Sequence, residues 1–224
     1  MGIGHDDDNE KQAVIDWTGG VPVARAFDDP YFSLGDGLAE TEHVFLNGND
    51  LPARLRAGFH VAELGFGTGL NALALARAWT GPGRIAMTSF EAFPMAHDDM
   101  ARALSAFPEL GDLARQLLSA WPGRRIAIGG VDLTIVQGDA RLCLPGWQGQ
   151  ADAWFLDGFA PARNPQMWGD DLLAEVGRHT AAGGTFATYT AAGHVRRALS
   201  AAGFVVSRVP GYGRKRHMTK GVMA

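Results

Sequence analysis

Cysteine is nearly absent from this chain of 224 residues, in which Cys143 is the single one. One cysteine excludes an internal disulfide framework and a cysteine cluster for zinc or iron–sulfur, so a reducing, cytosolic setting is the default expectation. Long apolar runs are missing too, since no stretch approaches the roughly 20 apolar residues that a membrane-spanning helix needs. The seven histidines show no spacing typical of metal ligands. We therefore expect neither a membrane contact nor a metal site.

The chain has no excess of positive charge, since 20 Lys and Arg stand against 24 Asp and Glu, a formal net charge of −4. This balance argues against a protein that binds nucleic acid over its whole surface. A local basic run does exist near the C-terminus, in GYGRKRHMTK at residues 211–220. At the other end, residues 1–12 are acidic and polar, unlike a signal peptide, and we expect a loose tail there.

Strand-like and helix-like segments alternate from residue 60 onward. Strands are indicated at 60–65, 84–91, 125–139 (two, joined at Gly129-Gly130), 151–157 and 183–190, with a closing pair, FVVSRVP and RHMTKGVMA. Helices are indicated at 70–79, over roughly 95–120 with a break near Pro108, at 171–180 and at 192–203. This alternation predicts an α/β fold with a mostly parallel sheet. We expect seven strands, the last pair antiparallel at an edge.

The regular pattern divides the chain into two parts. Residues 59–224 would form the α/β core. Residues 1–58 would form the tail and an extension of loops and short elements, one of them a short strand at VFL (44–46).

A glycine-rich loop, ELGFGTGLN, follows the first strand of this core. Gly65, Gly67 and Gly69 stand between strand and helix, where glycine lets the backbone approach a ligand and leaves helix N–H groups free. A dinucleotide fingerprint, G-x-G-x-x-G, would need glycine at position 70, which is Leu. The pattern E-x-G-x-G-x-G resembles that of Rossmann-like methyltransferases that use S-adenosyl-L-methionine (SAM). In those enzymes the acidic residue, here Glu63, lies close to the amino-acid portion of the cofactor. A purely structural turn is the alternative.

Two further carboxylates follow later strands of the predicted sheet. Glu91 stands about 20 residues past the loop, the spacing at which an acid meets ribose hydroxyls. Asp139, in QGDA, could accept from an adenine amino group or, alternatively, cap a helix. Ligands of open parallel sheets bind at the carboxyl ends of the strands, where all these residues would meet. The expected cofactor-binding residues are Glu63, Gly65, Phe66, Gly67, Thr68, Gly69, Asn71, Glu91, Asp139 and Ala140.

The stretch WFLDGFAPARNPQMW ends an apolar strand on Asp157. A carboxylate at that position could accept an N–H of an amine, orient the lone pair and help to remove a proton. Pro161 and Pro165 stiffen the loop that follows. Its apolar and aromatic side chains would exclude water and stack on a base. The alternatives are that Asp157 caps a turn and that Met167 and Trp168 belong to the core.

With these residues in place, the chain resembles the methyltransferase domain of the MnmC/MnmD family of tRNA wobble-uridine modification enzymes. The matching stretches run in order along nearly the whole chain: YFS, GLAETEHVFLNGNDLP, ELGFGTGLN, SFEAFP, GDA, WFLDGFAPARNPQMW, TYTAAGHVRRALSAAGF and GYGRKRHM. The DGFAP…NP.MW and G.GRKR motifs are the most specific. The chain departs from the family at His217, where Glu is usual, and at Ala162 and Arg163, in a stretch where Lys is common.

The resemblance implies a SAM-dependent methylation of the amine of 5-aminomethyl-2-thiouridine, or of its non-thiolated form, at the wobble position. The product would be the 5-methylaminomethyl base. It assigns Asp157 to the reaction centre and the glycine loop with Glu63, Glu91 and Asp139 to the cofactor. The expected substrate-binding residues are Tyr31, Phe159, Pro161, Asn164, Met167, Trp168, Arg214, Lys215 and Arg216.

The implied partner is the anticodon stem-loop of tRNA, whose phosphates the basic run at 214–216 would contact. In bifunctional members of the family, a FAD-dependent oxidoreductase domain makes the aminomethyl substrate. This chain carries no second glycine fingerprint, so we expect no flavin chemistry in it and a separate or fused oxidoreductase as a partner.

Other functions remain open at this point. One is a SAM methyltransferase for another amine, such as a small molecule or an exocyclic base amine. Enzymes for exocyclic amines often carry an Asp/Asn-Pro-Pro-aromatic motif after the fourth strand, where this chain has DGFAP. Another is a non-catalytic SAM- or tRNA-binding module. An NAD dehydrogenase is disfavoured by Leu70.

Overall fold

The computed structural model describes residues 12–33 and 35–224. Of the expected N-terminal tail, residues 1–11 lie outside the described residues. The chain then forms a small antiparallel sheet of three short strands: β1 (Ile15–Thr18), β2 (Val21–Ala24) and β3 (Asp29–Pro30). A short helix, α1 (Gly37–Thr41), leads into a π-helical turn at Glu42–Leu46 and a 3₁₀ turn at Asn47–Asn49. The extension therefore consists of short strands, one short helix and helical turns.

The expected strand at VFL is wrong, because these residues belong to the π-helical turn. Val44, Phe45 and Leu46 are all buried in the apolar layer that covers one face of the main sheet. A run of three apolar residues has no period, so it cannot distinguish a strand from one turn of a buried helix. Tertiary packing decided the outcome here.

Within the described residues, the main sheet has eight strands. They are β4 (His60–Leu64), β5 (Ile85–Glu91), β6 (Arg125–Ile128), β7 (Val131–Gln137), β8 (Ala151–Leu156), β9 (Thr180–Thr188), β10 (Phe204–Pro210) and β11 (His217–Met223). Their order is β10-β11-β9-β8-β4-β5-β7-β6. The five central strands β9, β8, β4, β5 and β7 are parallel, and β10 with β11 forms the predicted antiparallel pair at one edge.

The α/β fold class is thus confirmed, with one strand more than the seven predicted. The additional strand, β6, pairs antiparallel with β7 at the other edge, through the hairpin expected at Gly129-Gly130. Gly129 adopts φ +52°, a backbone conformation that favours glycine in tight hairpin turns.

Helices cover both faces of the sheet. They are α2 (Leu70–Ala78), α3 (His97–Leu104), α4 (Gly111–Ala120), α5 (Ala140–Cys143), α6 (Asp170–Arg178) and α7 (Gly193–Ala201). Strand β8 shows how the two apolar layers arise: Phe155 packs into the layer under α2 and α4, whereas Trp154 and Leu156 pack into the layer under α6 and α7. Successive side chains of a strand point to opposite faces, so an unbroken apolar strand supplies both layers. Within residues 12–33 and 35–224, no helix combines the length and hydropathy that a membrane crossing requires.

The strand order places a crevice at the carboxyl end of β4. From β4 the chain moves outward to β5 and β7 on one side, and it later returns to add β8 and β9 on the other. At such a reversal the loops after neighbouring strands diverge and leave room for a ligand. The glycine-rich loop follows β4 and Asp157 follows β8, so the fold brings the two predicted motifs to the same crevice.

Candidate active site

A cavity of about 800 Å³ lies at this crevice and is closed on one side by the N-terminal extension. Most of the residues predicted from the sequence to form the site line it. The exceptions are Glu63, Gly69, Pro161, Trp168, Arg214 and Arg216. The carboxyl ends of the parallel strands therefore do bring most of the predicted side chains together. The exceptions lie behind the residues that line the cavity or outside the cavity.

The glycine-rich loop passes close to its neighbours. Gly65 and Gly67 adopt φ +84° and +56°. A Cβ at Gly65 would lie 3.1 Å from the carbonyl oxygen of Asp157, and one at Gly67 would lie 3.1 Å from the Tyr31 ring. Both the left-handed backbone and the tight space require glycine at these two positions. The loop is thus a backbone cradle at the cavity floor, followed directly by α2 with its free N–H groups.

Glu63 lies beneath this loop, fully buried, and does not itself reach the cavity. Its carboxylate accepts from Asn71 Nδ2 at 2.8 Å and from Ser89 Oγ at 2.5 Å. Burial raises the pKa of Glu63 well above its usual range, and the nearby charge of Asp157 adds to this, whereas the bonds from Ser89 and Asn71 oppose it. The amide of Asn71 also donates to Asp157 Oδ2 at 2.8 Å. One amide group therefore links the end of β4 to the end of β8.

Asp157 lines the cavity, partly buried, with both carboxylate oxygens oriented by donors. Besides Asn71 on Oδ2, the backbone N–H of Gly158 donates to Oδ1 at 2.8 Å. Burial raises the pKa of Asp157 to about 6. The two hydrogen bonds and the charge of Lys215 act against this rise, and the charge of Glu40 adds to it. A carboxylate with this pKa is largely ionised at neutral pH yet accepts a proton more readily than an ordinary aspartate.

Glu91 and Asp139 both line the cavity, and each also holds the backbone. Glu91 accepts from the N–H groups of Gly67 at 2.9 Å and Phe93 at 2.7 Å. Asp139 caps α5 by accepting from Arg141 N at 2.9 Å, as the alternative interpretation of the sequence had it. The hydrogen-bonded guanidinium of Arg141 lowers the pKa of Asp139, so this carboxylate stays ionised. Each carboxylate oxygen has two acceptor sites, so Glu91 keeps capacity for a ligand, whereas the backbone and guanidinium N–H groups of Arg141 occupy the acceptor sites of Asp139.

The loop after Asp157 packs against the N-terminal extension. The Phe159 ring stacks on Phe27, with centroids 4.6 Å apart, and meets the edge of Tyr31 at 5.2 Å. The N–H of Ala160 donates to Asp29 Oδ2 at 2.8 Å. Aromatic contacts and this hydrogen bond join two segments separated by more than a hundred residues into one wall of the cavity. Tyr31 touches both the wall and the glycine loop, so it lies over the predicted cofactor region.

Met167 and Trp168 take different places. Met167 lines the cavity, whereas Trp168 is a core residue, 2% exposed, whose indole N–H donates to the Phe159 carbonyl at 2.9 Å. Trp168 therefore supports the wall from behind. Arg214 and Arg216 lie exposed on the turn between β10 and β11.

Sequence reasoning missed Glu40 and Tyr189, which line the cavity near Asp157. Tyr189 directly follows parallel strand β9, and its hydroxyl donates to the Gly158 carbonyl at 2.7 Å. The rule that strand ends face the ligand could have found it. Glu40 stands in α1 of the extension, where no local pattern distinguishes a carboxylate that faces a cavity from one that faces solvent. Lys215, which we expect to contact RNA, pairs with Glu40 at 2.8 Å in this structure.

The cavity lining suits a SAM cofactor. Glu91 can accept from ribose hydroxyls, α2 offers free N–H groups after the glycine loop, and the two tight glycines keep side chains out of the cradle. In the described part of the chain, no three histidine, cysteine or carboxylate side chains are arranged to hold a metal ion.

Comparison with known proteins gives the same result. A family model described as S-adenosyl-L-methionine-dependent methyltransferase matches residues 108–224. The bifunctional protein MnmC of tRNA 5-methylaminomethyl-2-thiouridine biosynthesis from Caulobacter sp. (strain K31) is 48% identical over 221 residues, 91% of this chain and 37% of that protein. Its counterpart from Stutzerimonas stutzeri is 47% identical over 94% of this chain and 34% of that protein. The chain thus spans little more than a third of the length of these curated relatives.

Solved structures extend the likeness to the fold. The crystal structure of MNMC2 from Aquifex aeolicus superposes with a TM-score of 0.75 at 26% identity and covers 96% of this chain and 71% of that one. Precorrin-6y C5,15-methyltransferase from Geobacter metallireducens, at 14% identity and a TM-score of 0.53 over 91% of this chain and 93% of its own, shares the fold alone. On the family match, the relatives and the cavity at the strand ends, this chain belongs to the S-adenosyl-L-methionine-dependent methyltransferases, in the family of the MnmC methyltransferase domain.

Proposed function

We propose that this protein methylates the side-chain amine of 5-aminomethyl-2-thiouridine, or of its non-thiolated form, at the wobble position of tRNA, giving the 5-methylaminomethyl base. The observation that carries the proposal is Asp157, an oriented carboxylate with a raised pKa at the cavity end of β8, next to the glycine loop. The relatives are proteins of tRNA 5-methylaminomethyl-2-thiouridine biosynthesis, which supports the choice of substrate.

The residues divide the work between cofactor and substrate. The loop at Gly65–Gly69 would hold the amino-acid portion of SAM, with Glu63 and Asn71 fixing the loop from below, and Glu91 and Asp139 would hold the nucleoside. Bound SAM supplies an electrophilic methyl group on a sulfonium. Asp157 accepts one proton from the substrate ammonium and thereby frees the nitrogen lone pair. With SAM bound, the freed lone pair would take the methyl group, the electron pair of the C–S bond would stay on sulfur, and the product would be a secondary ammonium.

The proposal also gives the N-terminal extension a place at the site. We assign residues 59–224 to the methyltransferase core and residues 1–58 to an extension that borders the site. Tyr31, Glu40 and Val44 of the extension line the cavity, which supports this division. Phe159, Asn164 and Met167 would form the wall against the wobble base, with Pro161 and Trp168 stiffening it from behind.

The partners follow from the substrate. Arg214 and Arg216, both exposed, would contact phosphates of the anticodon stem-loop, and Lys215 between them reaches into the cavity. The relatives are named bifunctional and are almost three times as long as this chain. We infer that a FAD-dependent oxidoreductase, fused or separate, makes the aminomethyl group, and that the enzyme acts in the cytoplasm together with tRNA.

The test supplies isotopically labelled SAM and tRNA bearing 5-aminomethyluridine, then digests the tRNA and analyses the nucleosides by mass. A nucleoside heavier by one labelled methyl on the side-chain amine would establish both reaction and substrate. Asp157→Ala should bind SAM as the wild type does but lose most of the turnover, because no group then accepts the amine proton. If SAM binds well and the tRNA stays unlabelled, the substrate assignment is wrong.

A further inference from the structure

Three side chains from distant parts of the chain meet beside Asp157. They are Glu40 in α1, Tyr189 after β9, and Lys215 in the turn before β11. The ammonium of Lys215 lies 2.8 Å from Glu40 Oε1 and 4.2 Å from the centroid of the Tyr189 ring. All three line the same cavity as Asp157. Together Glu40, Asp157 and the aromatic face form a subsite with the features of an ammonium-binding pocket.

Both oxygens of the Glu40 carboxylate have a partner. Its residue is only 9% exposed, its second oxygen accepts from the hydroxyl of Ser33, and the ion pair with Lys215 uses the first. A carboxylate this buried is costly unless a cation compensates it. The Lys215 side chain, in contrast, is 43% exposed, so this ammonium can leave the cavity for solvent or for a phosphate.

The cation that occupies the subsite is a primary alkylammonium, the same chemical group as the protonated aminomethyl side chain of the proposed substrate. An aliphatic amine with a pKa of about 10 arrives almost entirely as the ammonium at neutral pH. Exchanging one ammonium for the other leaves the charge between Glu40 and Asp157 unchanged. During the exchange, neither buried carboxylate is therefore left without a neighbouring cation.

We propose that Glu40 pairs with the ammonium form of the substrate amine, and that Lys215 occupies this place until the substrate enters. This inference rests on the proposed function and adds a positioning residue to it. Glu40 holds the ammonium while Asp157 accepts one of its protons. The displaced Lys215 then contacts the RNA backbone together with Arg214 and Arg216. Binding of the tRNA is therefore coupled to the release of the Lys215 ammonium from Glu40.

The experiment measures binding without turnover, with S-adenosylhomocysteine in place of SAM. Two tRNAs are compared, one with 5-aminomethyluridine and one with unmodified uridine at the wobble position. The wild type should prefer the aminomethyl form by about tenfold to a hundredfold, the range for a hydrogen bond between charged groups. Glu40→Gln should lose about tenfold of this preference, by weakening the aminomethyl form only. Lys215→Met should increase the preference, because no internal ammonium competes.

Matched controls separate this role from a structural one. Glu42→Gln alters a neighbouring carboxylate that pairs with Arg77 at 3.4 Å, and Lys220→Met alters a lysine that pairs with Asp50 at 3.5 Å. Both should keep the wild-type preference. If Glu40→Gln fails to bind S-adenosylhomocysteine, Glu40→Asp replaces it, and we expect that variant to retain part of the preference because it keeps the charge.

The possible results distinguish the role of Glu40 from the proposed function. A wild type that methylates the tRNA, together with a Glu40→Gln variant that keeps the full preference or weakens both tRNAs equally, overturns the inference and leaves the proposed function intact. A wild type that neither methylates the aminomethyl tRNA nor prefers it overturns the proposed function itself. The effect of Lys215→Met tests the exchange: an unchanged or smaller preference refutes the role of Lys215 as the resident cation.

Discussion

The raised pKa of Asp157 predicts that Asp157→Asn changes stability in a way that depends on pH. The folded protein binds a proton at Asp157 with a pKa of about 6, against an ordinary value of 3.8. A carboxyl whose pKa is raised on folding is stabilised when protonated, so the wild type loses stability as the pH rises from 3.8 to about 6. Asparagine does not ionise, and the variant escapes this loss.

The magnitude follows from the shift and from the hydrogen bonds. A difference of about two pKa units corresponds to ~3 kcal/mol, gained by the variant between about pH 4 and pH 7. Against this, the asparagine amide has one acceptor oxygen where the carboxylate has two. Either Asn71 Nδ2 or the N–H of Gly158 loses its acceptor, at a cost of about 1–3 kcal/mol at every pH. The variant should therefore be less stable than the wild type near pH 4 and equal or more stable at neutral pH.

The assay is denaturant or thermal unfolding of both proteins at a series of pH values. For a chain of this length, ~3 kcal/mol corresponds to about 6–12 °C in Tm. Glu63 is present in both proteins, and the substitution changes its pKa only through the lost charge of Asp157 and the shared Asn71 amide. Asp132→Asn, at a carboxylate that is 59% exposed and lies outside the cavity, is the control for the loss of one carboxylate. A difference between Asp157→Asn and the wild type that does not change with pH would refute the assignment of the raised pKa of Asp157 to burial in the cavity.

Two further variants, one single and one double, test the glycine loop and the basic turn. Gly67→Ala should weaken SAM binding and cost about 1 kcal/mol of stability, because a Cβ at φ +56° is strained and would lie 3.1 Å from Tyr31. Calorimetric titration with SAM measures the affinity, and an unchanged affinity would contradict the prediction. Replacing Arg214 and Arg216 together by Ala should raise the KM for tRNA, reduce the salt slope of tRNA binding by about 2 and leave SAM affinity unchanged. Arg178→Ala is the control for lost charge, and an equal effect there would argue against a specific contact.

Much of the site could be predicted from the sequence because its residues occupy local positions with a general meaning. Asp157 directly follows an apolar strand, Glu91 is the last residue of another, and the glycines of the loop stand between strand and helix. Parallel strands place all their carboxyl ends at one edge, so local strand ends become neighbours without further information. The same logic could have identified Tyr189.

Where the prediction failed, the local pattern carried no information on the outcome. The VFL segment became helical because its position over the sheet, not its composition, decided its conformation. Strand β6 was indicated as half of a hairpin, but only pairing with β7 made it the eighth strand of the sheet. Trp168 and Met167 are adjacent in sequence, and only the packing of the loop shows that one supports the wall and the other lines it.

The sequence by itself determined the fold class, the glycine loop after β4 and the position of Asp157 after β8, because periodicity, glycine spacing and strand ends are local properties. Only the tertiary structure decided that one Asn71 amide joins Glu63 to Asp157, and that Glu40 receives the ammonium of Lys215. Glu40 and Lys215 are 175 residues apart. A contact over that distance depends on how the extension and the last strands pack on the sheet, which no local pattern encodes.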